Sequence, residues 1–233
     1  MYRNLKFIAF IPARKNSKGL KNKNFRLIAG KSLFERAILQ AIEFGFFDLI
    51  VVSSDSSNLL KIAKKYNVIV SGVRPDYLSS DKVSTIDVVR YEAELLGFDE
   101  YDALVLLQPT SPLRTKEDIL GSVDLYIDSN SSSVLSVTES NEKIHLLRTI
   151  SKEGKLEKIL ETNSNIRRQD ALKSYLINGA VYVNSIKEIN NRDFGFNDNL
   201  IPYFMPSERS IDIDDIDDLK SARSILKKRS HEG

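Results

Sequence analysis

The sequence predicts an α/β protein built on a doubly wound, mostly parallel sheet. Short apolar runs, typical of buried strands, alternate with segments whose apolar residues recur at helical spacing. The apolar runs cover residues 7–11, 49–52, 68–70 and 103–107. This alternation favours right-handed parallel βαβ units, because the helices then cover both faces of the sheet. A chain of 233 residues has the length of one such domain with a small appendage.

Composition argues against several classes of function. The chain has no cysteine, which excludes disulfides, thiolate catalysis and cysteine-bound metals. Its formal net charge of +2 argues against a nucleic-acid-binding protein, and no apolar stretch is long enough to span a membrane. We therefore expect no nucleic-acid partner, no membrane association and a cytoplasmic location.

The first apolar run leads directly into a basic loop. Between Arg14 and Arg26 the chain carries six lysine or arginine residues and no carboxylate. Ligands of open α/β sheets bind beyond the carboxyl ends of the strands, so this loop is placed to hold phosphates. Gly19 would let the backbone approach the ligand. The alternative is an ordinary solvated loop, since the segment contains neither a P-loop nor a dinucleotide fingerprint.

Helix start and stop signals follow in order. Ser32 is a candidate N-cap and Gly45 a stop signal for the first helix. A polar, irregular stretch at 74–81 precedes Ser84 and Thr85, either of which can cap the next helix. Taken alone, these features predict an ordinary loop and a helix N-terminus.

The apolar run 103–107 ends in a segment that contains two prolines, residues 108–114. On its own, this segment predicts a rigid turn with Thr115 as the cap of a following helix. From residue 139 to 175 the regular pattern gives way to polar, short alternations with several basic residues. That change predicts an arm inserted into the domain.

An acidic string lies near the C-terminus. Asp212 and Asp214 alternate with Ile211 and Ile213, so in an extended backbone both carboxylates face one side and both isoleucines the other. Paired carboxylates suit Mg²⁺ held together with nucleotide phosphates. The alternative is an acidic helix start. We expect only this second role for three further aspartates, Asp215, Asp217 and Asp218.

Separated stretches of the chain resemble the acylneuraminate cytidylyltransferases, the family that makes CMP-activated sialic and related nonulosonic acids. The resemblance is carried by IPARxxSKGLxxKN at 11–24, RPxxLxxD at 74–81, LQPTSPLR at 107–114, RQ at 168–169, NGAxY at 178–182 and SIDID at 210–214. Lys21 departs from the family, which often has proline there.

The resemblance implies one Rossmann-like nucleotidyltransferase domain over residues 1–233, with 139–175 as a dimerisation arm and a homodimer as the assembly. It implies transfer of CMP from CTP to the anomeric hydroxyl of a nine-carbon 2-keto sugar acid, with release of pyrophosphate. Mg²⁺ is the expected cofactor. The alternatives are a CMP-Kdo synthetase and a non-catalytic nucleotide-binding protein.

The site residues carried over from the family fall into four groups. We expect catalytic roles for Arg14 and Lys23 and metal binding by Asp212 and Asp214. Nucleotide binding is expected of Ala13, Ser17, Lys18, Asn24, Arg74, Ser84 and Thr85. Sugar binding is expected of Gln108, Arg168, Asn178 and Tyr182.

Overall fold

The computed structural model describes residues 1–80, 82–161, 172–190 and 200–232, and within the last range the side chains up to residue 229. The strands of these ranges, numbered in chain order, are β1 Phe7–Ala13, β2 Leu27–Ile28, β3 Lys31–Ser32, β4 Leu49–Ser54, β5 Ile69–Val73, β6 Ala103–Leu106, β7 Ser133–Ser140, β8 Arg148–Ile150, β9 Leu156–Lys158, β10 Ser174–Ser185 and β11 Ile201–Phe204. The helices are α1 Leu33–Phe44, α2 Ser57–Ala63, α3 Thr85–Leu96, α4 Lys116–Ser129 and α5 Ile216–Glu232.

Seven strands form one central sheet in the order β11-β7-β10-β6-β1-β4-β5. Strand β1 pairs in parallel with β4 and β6, β4 with β5, and β11 with β7. Within this seven-stranded sheet, β10 runs antiparallel to its neighbours β6 and β7. The predicted mostly parallel α/β sheet is confirmed.

Strand β1 lies inside the sheet and is buried on both faces. Phe7, Ala9 and Ile11 belong to the apolar cluster that packs under α1, α2 and α4. Ile8 and Phe10 point the other way, into a second cluster that includes residues of α3. Two-sided burial explains why this strand is a continuous apolar run, with no alternation of polar and apolar residues.

Capping residues begin the helices where the sequence predicts. The backbone N–H of Glu35 donates to the Ser32 hydroxyl at 3.1 Å, and the Glu35 carboxylate accepts in return from the Ser32 backbone. Ser84 forms the same reciprocal pair with Asp87, and α1 ends at Gly45 with a left-handed backbone. No helix in the described ranges has the length and apolar character needed to cross a membrane.

The predicted arm begins and ends within the central sheet. Glu139 of β7 pairs with Tyr175 of β10, so both predicted boundary residues are strand residues. Between them, β8 and β9 form a separate two-stranded antiparallel hairpin. Arg168 lies outside the described residues. The division into a domain and a dimerisation arm stays a prediction.

Candidate active site

A cavity of about 380 Å³ opens beyond the carboxyl ends of β1 and β6. Its walls are the basic loop after β1, the start of α3, the turn after β6 and the acidic string before α5. Eleven of the predicted site residues line it: Arg14, Ser17, Lys18, Lys23, Asn24, Arg74, Ser84, Thr85, Gln108, Asp212 and Asp214. The fold thus brings together residues that are nearly 200 positions apart in the chain.

Hydrogen bonds that involve the loop backbone, together with one buried leucine, hold the basic loop against the domain. The buried side chain of Asn24 donates to the Arg14 carbonyl oxygen at 2.8 Å. The N–H of Lys15 donates to the Asp55 carboxylate at 2.6 Å. Leu20 is buried in a small apolar cluster at the base of the loop. These contacts leave the loop's cationic side chains at the cavity while its backbone is fixed.

Gly19 permits a close approach within the protein. A Cβ atom at this position would overlap the backbone carbonyl oxygen of Asp214. Glycine is therefore required where the backbone of the basic loop touches the acidic string. Gly19 also lines the cavity, and the predicted close approach of its backbone to a ligand stays a prediction.

Lys23 and Asp214 form an ion pair across this contact. The Lys23 ammonium donates to the Asp214 carboxylate at 2.9 Å, and the two side chains are 13% and 79% exposed. The sequence assigned these residues to different parts of the site. The structure shows that the predicted phosphate-binding cation and the predicted metal-binding carboxylate are direct neighbours.

The acidic string follows the predicted alternation. Ile213 is buried and Ile211 partly buried against the same cluster as Leu20, while Asp212 and Asp214 both line the cavity. The backbone N–H of Ile213 donates to the Thr110 carbonyl at 2.8 Å, which holds the string beside the turn after β6. The segment is extended but joins no sheet.

The aspartates that follow serve the start of α5, as predicted. The Asp215 carboxylate accepts from the backbone N–H groups of Asp217 and Asp218 at 2.8 and 3.0 Å. The Asp218 carboxylate accepts in turn from the N–H groups of Asp214 and Asp215. These bonds satisfy donors that a helix N-terminus leaves free, and they also hold the backbone of Asp214.

Asp212 and Asp214 have the donor chemistry for Mg²⁺. Desolvation raises the pKa of the Asp212 carboxyl, and the nearby charge of Asp214 adds to that rise, while a hydrogen bond from Thr110 and the charge of Lys23 oppose it. A divalent cation would relieve the repulsion. No group of three or more acidic or histidine ligands occurs within the described ranges. Two carboxylates suffice for Mg²⁺ when phosphates and water complete its shell.

Arg74 forms part of the opposite wall of the cavity, and its residue is 3% exposed. Its guanidinium lies 3.9 Å from the Asp55 carboxylate, and burial lowers its pKa, as does the charge of Arg14. Its Nε and Nη2 groups have no hydrogen-bond partner among the described residues. A buried cation with free donors at a cavity wall suits a ligand that carries oxygen or nitrogen acceptors.

The Gln108 side chain lies against a bulge in β10. Pairing of β10 with β7 is irregular between Ile177 and Tyr182, and Gly179 adopts a φ of 71° within the bulge. A Cβ atom on Gly179 would lie 2.9 Å from the Gln108 side-chain oxygen and 3.4 Å from an Asp212 carboxylate oxygen. Both the positive φ and this crowding require glycine.

Three of the predicted site residues within the described ranges do not line the cavity. Asn178 is buried, and its amide bonds the Ser136 hydroxyl at 2.6 Å and the Ser210 hydroxyl at 2.9 Å. Tyr182 is buried too, and desolvation raises its pKa to about 12. The Ala13 side chain packs in the core. Contacts of these three residues with a ligand stay predictions. The Asn178 amide is already hydrogen-bonded to Ser136 and Ser210 within the protein.

The cavity also contains residues that the sequence analysis did not single out. Asn16 and Thr110 both line the cavity, and both lie inside motifs quoted above. Their positions just beyond the ends of strands could have identified them as candidate site residues. The apolar residues Leu78, Val83 and Val88 line the wall near Arg74. Nothing local distinguishes them from core residues, because apolar spacing alone does not show which face borders a cavity.

The sheet and the cavity beyond the carboxyl ends of its parallel strands define a class, the doubly wound α/β proteins that bind ligands at this edge. A solved structure titled CMP:2-keto-3-deoxy-manno-octonic acid synthetase complexed with CTP superposes with a TM-score of 0.69 at 13% sequence identity. The superposition covers 96% of this chain and 99% of that one. At this identity, the likeness shows the fold.

A family model described as cytidylyltransferase matches residues 8–194, and the chain belongs to this family. The N-acylneuraminate cytidylyltransferase of Escherichia coli O18:K1:H7 (strain RS218 / NMEC) is 30% identical over 97% of this chain, which spans 54% of that protein. The pseudaminic acid cytidylyltransferase of Campylobacter jejuni serotype O:2 is 31% identical over 98% of this chain and 99% of its own length. The chain thus spans about half of one relative and nearly all of another. The predicted family is confirmed.

The contact at Gly19 predicts a specific effect of substitution. In Gly19→Ala the added methyl group must displace either the basic loop or the acidic string, since it overlaps backbone. We expect the free energy of unfolding, measured by urea denaturation, to fall by about 1–3 kcal/mol. Lys21→Ala, an exposed position on the same loop, is the control and should change stability by less than about 0.5 kcal/mol. Equal stability of Gly19→Ala and wild type would contradict the close contact.

Proposed function

We propose that the protein transfers CMP from CTP to the anomeric hydroxyl of a nonulosonic acid, a nine-carbon 2-keto sugar acid, and releases pyrophosphate. One observation carries the proposal: in a member of the cytidylyltransferase family, the basic loop and the Asp212–Asp214 pair line the same cavity. Cations that neutralise a triphosphate and carboxylates that hold a divalent metal are the two charged components that such a transfer needs. Because CTP is a cytoplasmic metabolite, we also propose a cytoplasmic location.

The reaction requires positioning and charge neutralisation, and no covalent nucleophile. The oxygen of the anomeric hydroxyl attacks the α-phosphorus, and the bond between the α-phosphorus and the oxygen that bridges to the β-phosphorus breaks. Pyrophosphate leaves, and the hydroxyl proton passes to solvent. Arg14, Lys18 and Lys23 line the cavity and would neutralise the phosphates. Arg14 offers a planar fork of donors, whereas the lysines act as point charges.

The lining of the cavity suits the two substrates. Arg74, Ser84 and Thr85 line it together with the apolar Leu78, Val83 and Val88, and this mixture suits a nucleoside. Gln108 and Asp212 both lie beside Gly179, so a sugar acid that contacts Gln108 would lie next to the carboxylates proposed to bind the metal. Mg²⁺ bound by Asp212 and Asp214 would supply charge stabilisation of the phosphates.

The alternatives are a CMP-Kdo synthetase and a non-catalytic nucleotide-binding protein. The CMP-Kdo synthetase resembles this chain in fold at 13% identity, whereas relatives named for N-acylneuraminate and pseudaminic acid share 30–31% identity. This difference favours a nine-carbon acid. The presence of both Asp212 and Asp214 at the cavity favours a catalyst over a passive binder.

The function is tested by CTP-dependent pyrophosphate release over a panel of N-acetylneuraminate, legionaminate, pseudaminate and Kdo. We expect turnover with at least one nine-carbon acid and much less with Kdo. Preference for Kdo would support the first alternative. CTP binding without turnover on any acid would support the second.

Removal of the loop cations should reduce the rate strongly. We expect Arg14→Ala and Lys23→Ala to lower kcat/KM by roughly 10²–10³-fold, because each would lose about 2.7–4 kcal/mol of stabilisation of the transition-state charge. Lys21→Ala, on the same loop but outside the cavity, should stay within about twofold of wild type. Wild-type turnover by Arg14→Ala or Lys23→Ala would exclude the loop as the phosphate site.

Removal of either carboxylate should raise the metal requirement. Asp212→Asn and Asp214→Asn each remove one charged ligand, so the Mg²⁺ concentration for half-maximal rate should rise by about tenfold or more. The control is Asp217→Asn, since that exposed carboxylate accepts from Lys220 at 2.7 Å and is not among the residues that line the cavity. If the control and the two test variants had the same Mg²⁺ dependence, the acidic string would be a helix start alone.

We further propose a homodimer formed through the arm. Large apolar side chains are exposed on the hairpin and the neighbouring strand ends, including Ile150 (72%), Leu156 (74%), Leu176 (62%) and Phe204 (59%). Exposed apolar side chains of this size are typical of an interface. A second copy is the proposed occupant because Ile150 and Leu156 belong to the predicted dimerisation arm, residues 139–175, which also carries Arg168.

A shared active site predicts complementation between inactive proteins. Lys23→Ala and Arg168→Ala should each be inactive alone, and a mixture should recover up to about a quarter of wild-type activity through hybrid dimers. Leu156→Asp, which places a charge on the apolar surface, should lower both the dimer fraction in sedimentation and the recovery. Leu95→Asp, an exposed leucine on α3, is the control and should leave the dimer intact. Exchange of subunits without recovery would argue against a shared site.

A further inference from the structure

Arg114 is a buried cation directly behind the cavity. It is 2% exposed and lies at the end of the turn after β6. Its Nη1 group donates to the Gln108 carbonyl oxygen and to the Ala180 carbonyl oxygen, both at 2.8 Å. Burial lowers its pKa to about 9, although the charges of Asp118 and Asp212 oppose this shift. The side chain therefore remains charged at neutral pH.

These two bonds add a direct link between the turn after β6 and the bulge of β10, beyond the antiparallel pairing of β6 with β10. Gln108 belongs to the turn, and Ala180 belongs to the bulge. Gly179, which precedes Ala180, lies against the Gln108 side-chain oxygen and an Asp212 carboxylate oxygen. A single nitrogen of Arg114 thus holds the turn and the bulge together where Gln108, Gly179 and Asp212 meet.

A contribution to the stability of the fold does not by itself explain why a guanidinium is buried at position 114. The Nε and Nη2 groups of Arg114 are buried and have no hydrogen-bond partner among the described residues. Burying a guanidinium with unused donors costs stability, and apolar replacements of buried charges are often neutral or stabilising. The backbone contact at the cavity is the feature that an apolar residue could not reproduce.

We propose that Arg114 is a positioning residue that holds Gln108 and the β10 bulge in register, so that the Gln108 side chain and Asp212 face the part of the cavity where the sugar acid binds. This inference rests on the proposed function for the identity of the ligand. It predicts an effect on the sugar acid that is separate from any effect on CTP, because both of the side-chain hydrogen bonds of Arg114 described above go to backbone beside Gln108 and the β10 bulge.

The test uses Arg114→Met, which removes the donors but keeps an unbranched side chain, and Arg114→Lys, which keeps a cation. We expect Arg114→Met to raise the KM for the sugar acid about tenfold or more and to leave the KM for CTP within about twofold. Arg114→Lys should recover part of the loss. Arg36→Lys is the matched control, since the Arg36 Nε group also donates to a backbone carbonyl, that of Ile28, away from the cavity.

A merely structural role would change the melting temperature and leave the two KM values unchanged, or alter both equally; either result would overturn the proposal. If Arg114→Met does not fold, Ser111→Ala tests the same link between the turn and the bulge. The Ser111 hydroxyl, in the turn, donates to the Asn178 carbonyl of the bulge at 3.4 Å. We expect this substitution to raise the sugar-acid KM a few fold with the CTP KM unchanged. No change in Ser111→Ala would count against the proposal.

Hydrogen exchange separates this inference from the proposed function. In Arg114→Met or Arg114→Lys, amides in segments 108–112 and 178–182 should exchange faster together, by about tenfold, while Arg36→Lys leaves both segments as in wild type. This readout needs no turnover. If wild type is inactive on every sugar acid, the proposed function fails, and coupled exchange of the two segments still supports the positioning role. Uncoupled exchange overturns it whatever the activity.

Discussion

The contact between the basic loop and the acidic string is the interaction on which the site depends. Gly19 brings the loop backbone against Asp214, and the Lys23–Asp214 ion pair at 2.9 Å joins the side chains across it. Leu20 and Ile213 are buried in one apolar cluster beneath this contact. This apolar cluster holds the basic loop and the acidic string close enough for the charges of Lys23 and Asp214 to neutralise each other in part. An exposed pair alone would supply little stability, so the buried leucine and isoleucine carry the attachment.

Further contacts fix the acidic string on both sides. Before it, Arg209 makes a two-bond ion pair with the fully buried Asp118, at 2.8 Å for each bond. After it, Asp215 and Asp218 form the capping contacts of α5. Asp212 and Asp214 therefore lie on a short segment that is held by contacts at both of its ends. Such restraint is what the metal-binding role that we propose for this pair, outside regular secondary structure, would require.

The antiparallel strand β10 supplies the remaining wall. Its bulge turns Gly179 toward Gln108 and Asp212, and Arg114 bonds the backbone on both sides of that junction. Asn178, in the same bulge, uses its amide to hold Ser136 and Ser210. Asn178 of the family motif NGAxY therefore organises the backbone around the cavity. Sugar binding by Asn178 and Tyr182 stays a prediction, because motif positions do not distinguish a contact residue from its support.

The sequence by itself determined the features that depend on near neighbours in the chain. The apolar run of β1, the capping serines of α1 and α3, and the alternation of Asp212 and Asp214 with isoleucine all follow from local chemistry, and each occurs as predicted. The tertiary structure alone decided which distant groups meet. It paired Lys23 with Asp214 across 191 residues and brought the Gly19 backbone against that of Asp214. Local patterns carry no information on such pairs, because the separation of two segments is set by packing of the whole core.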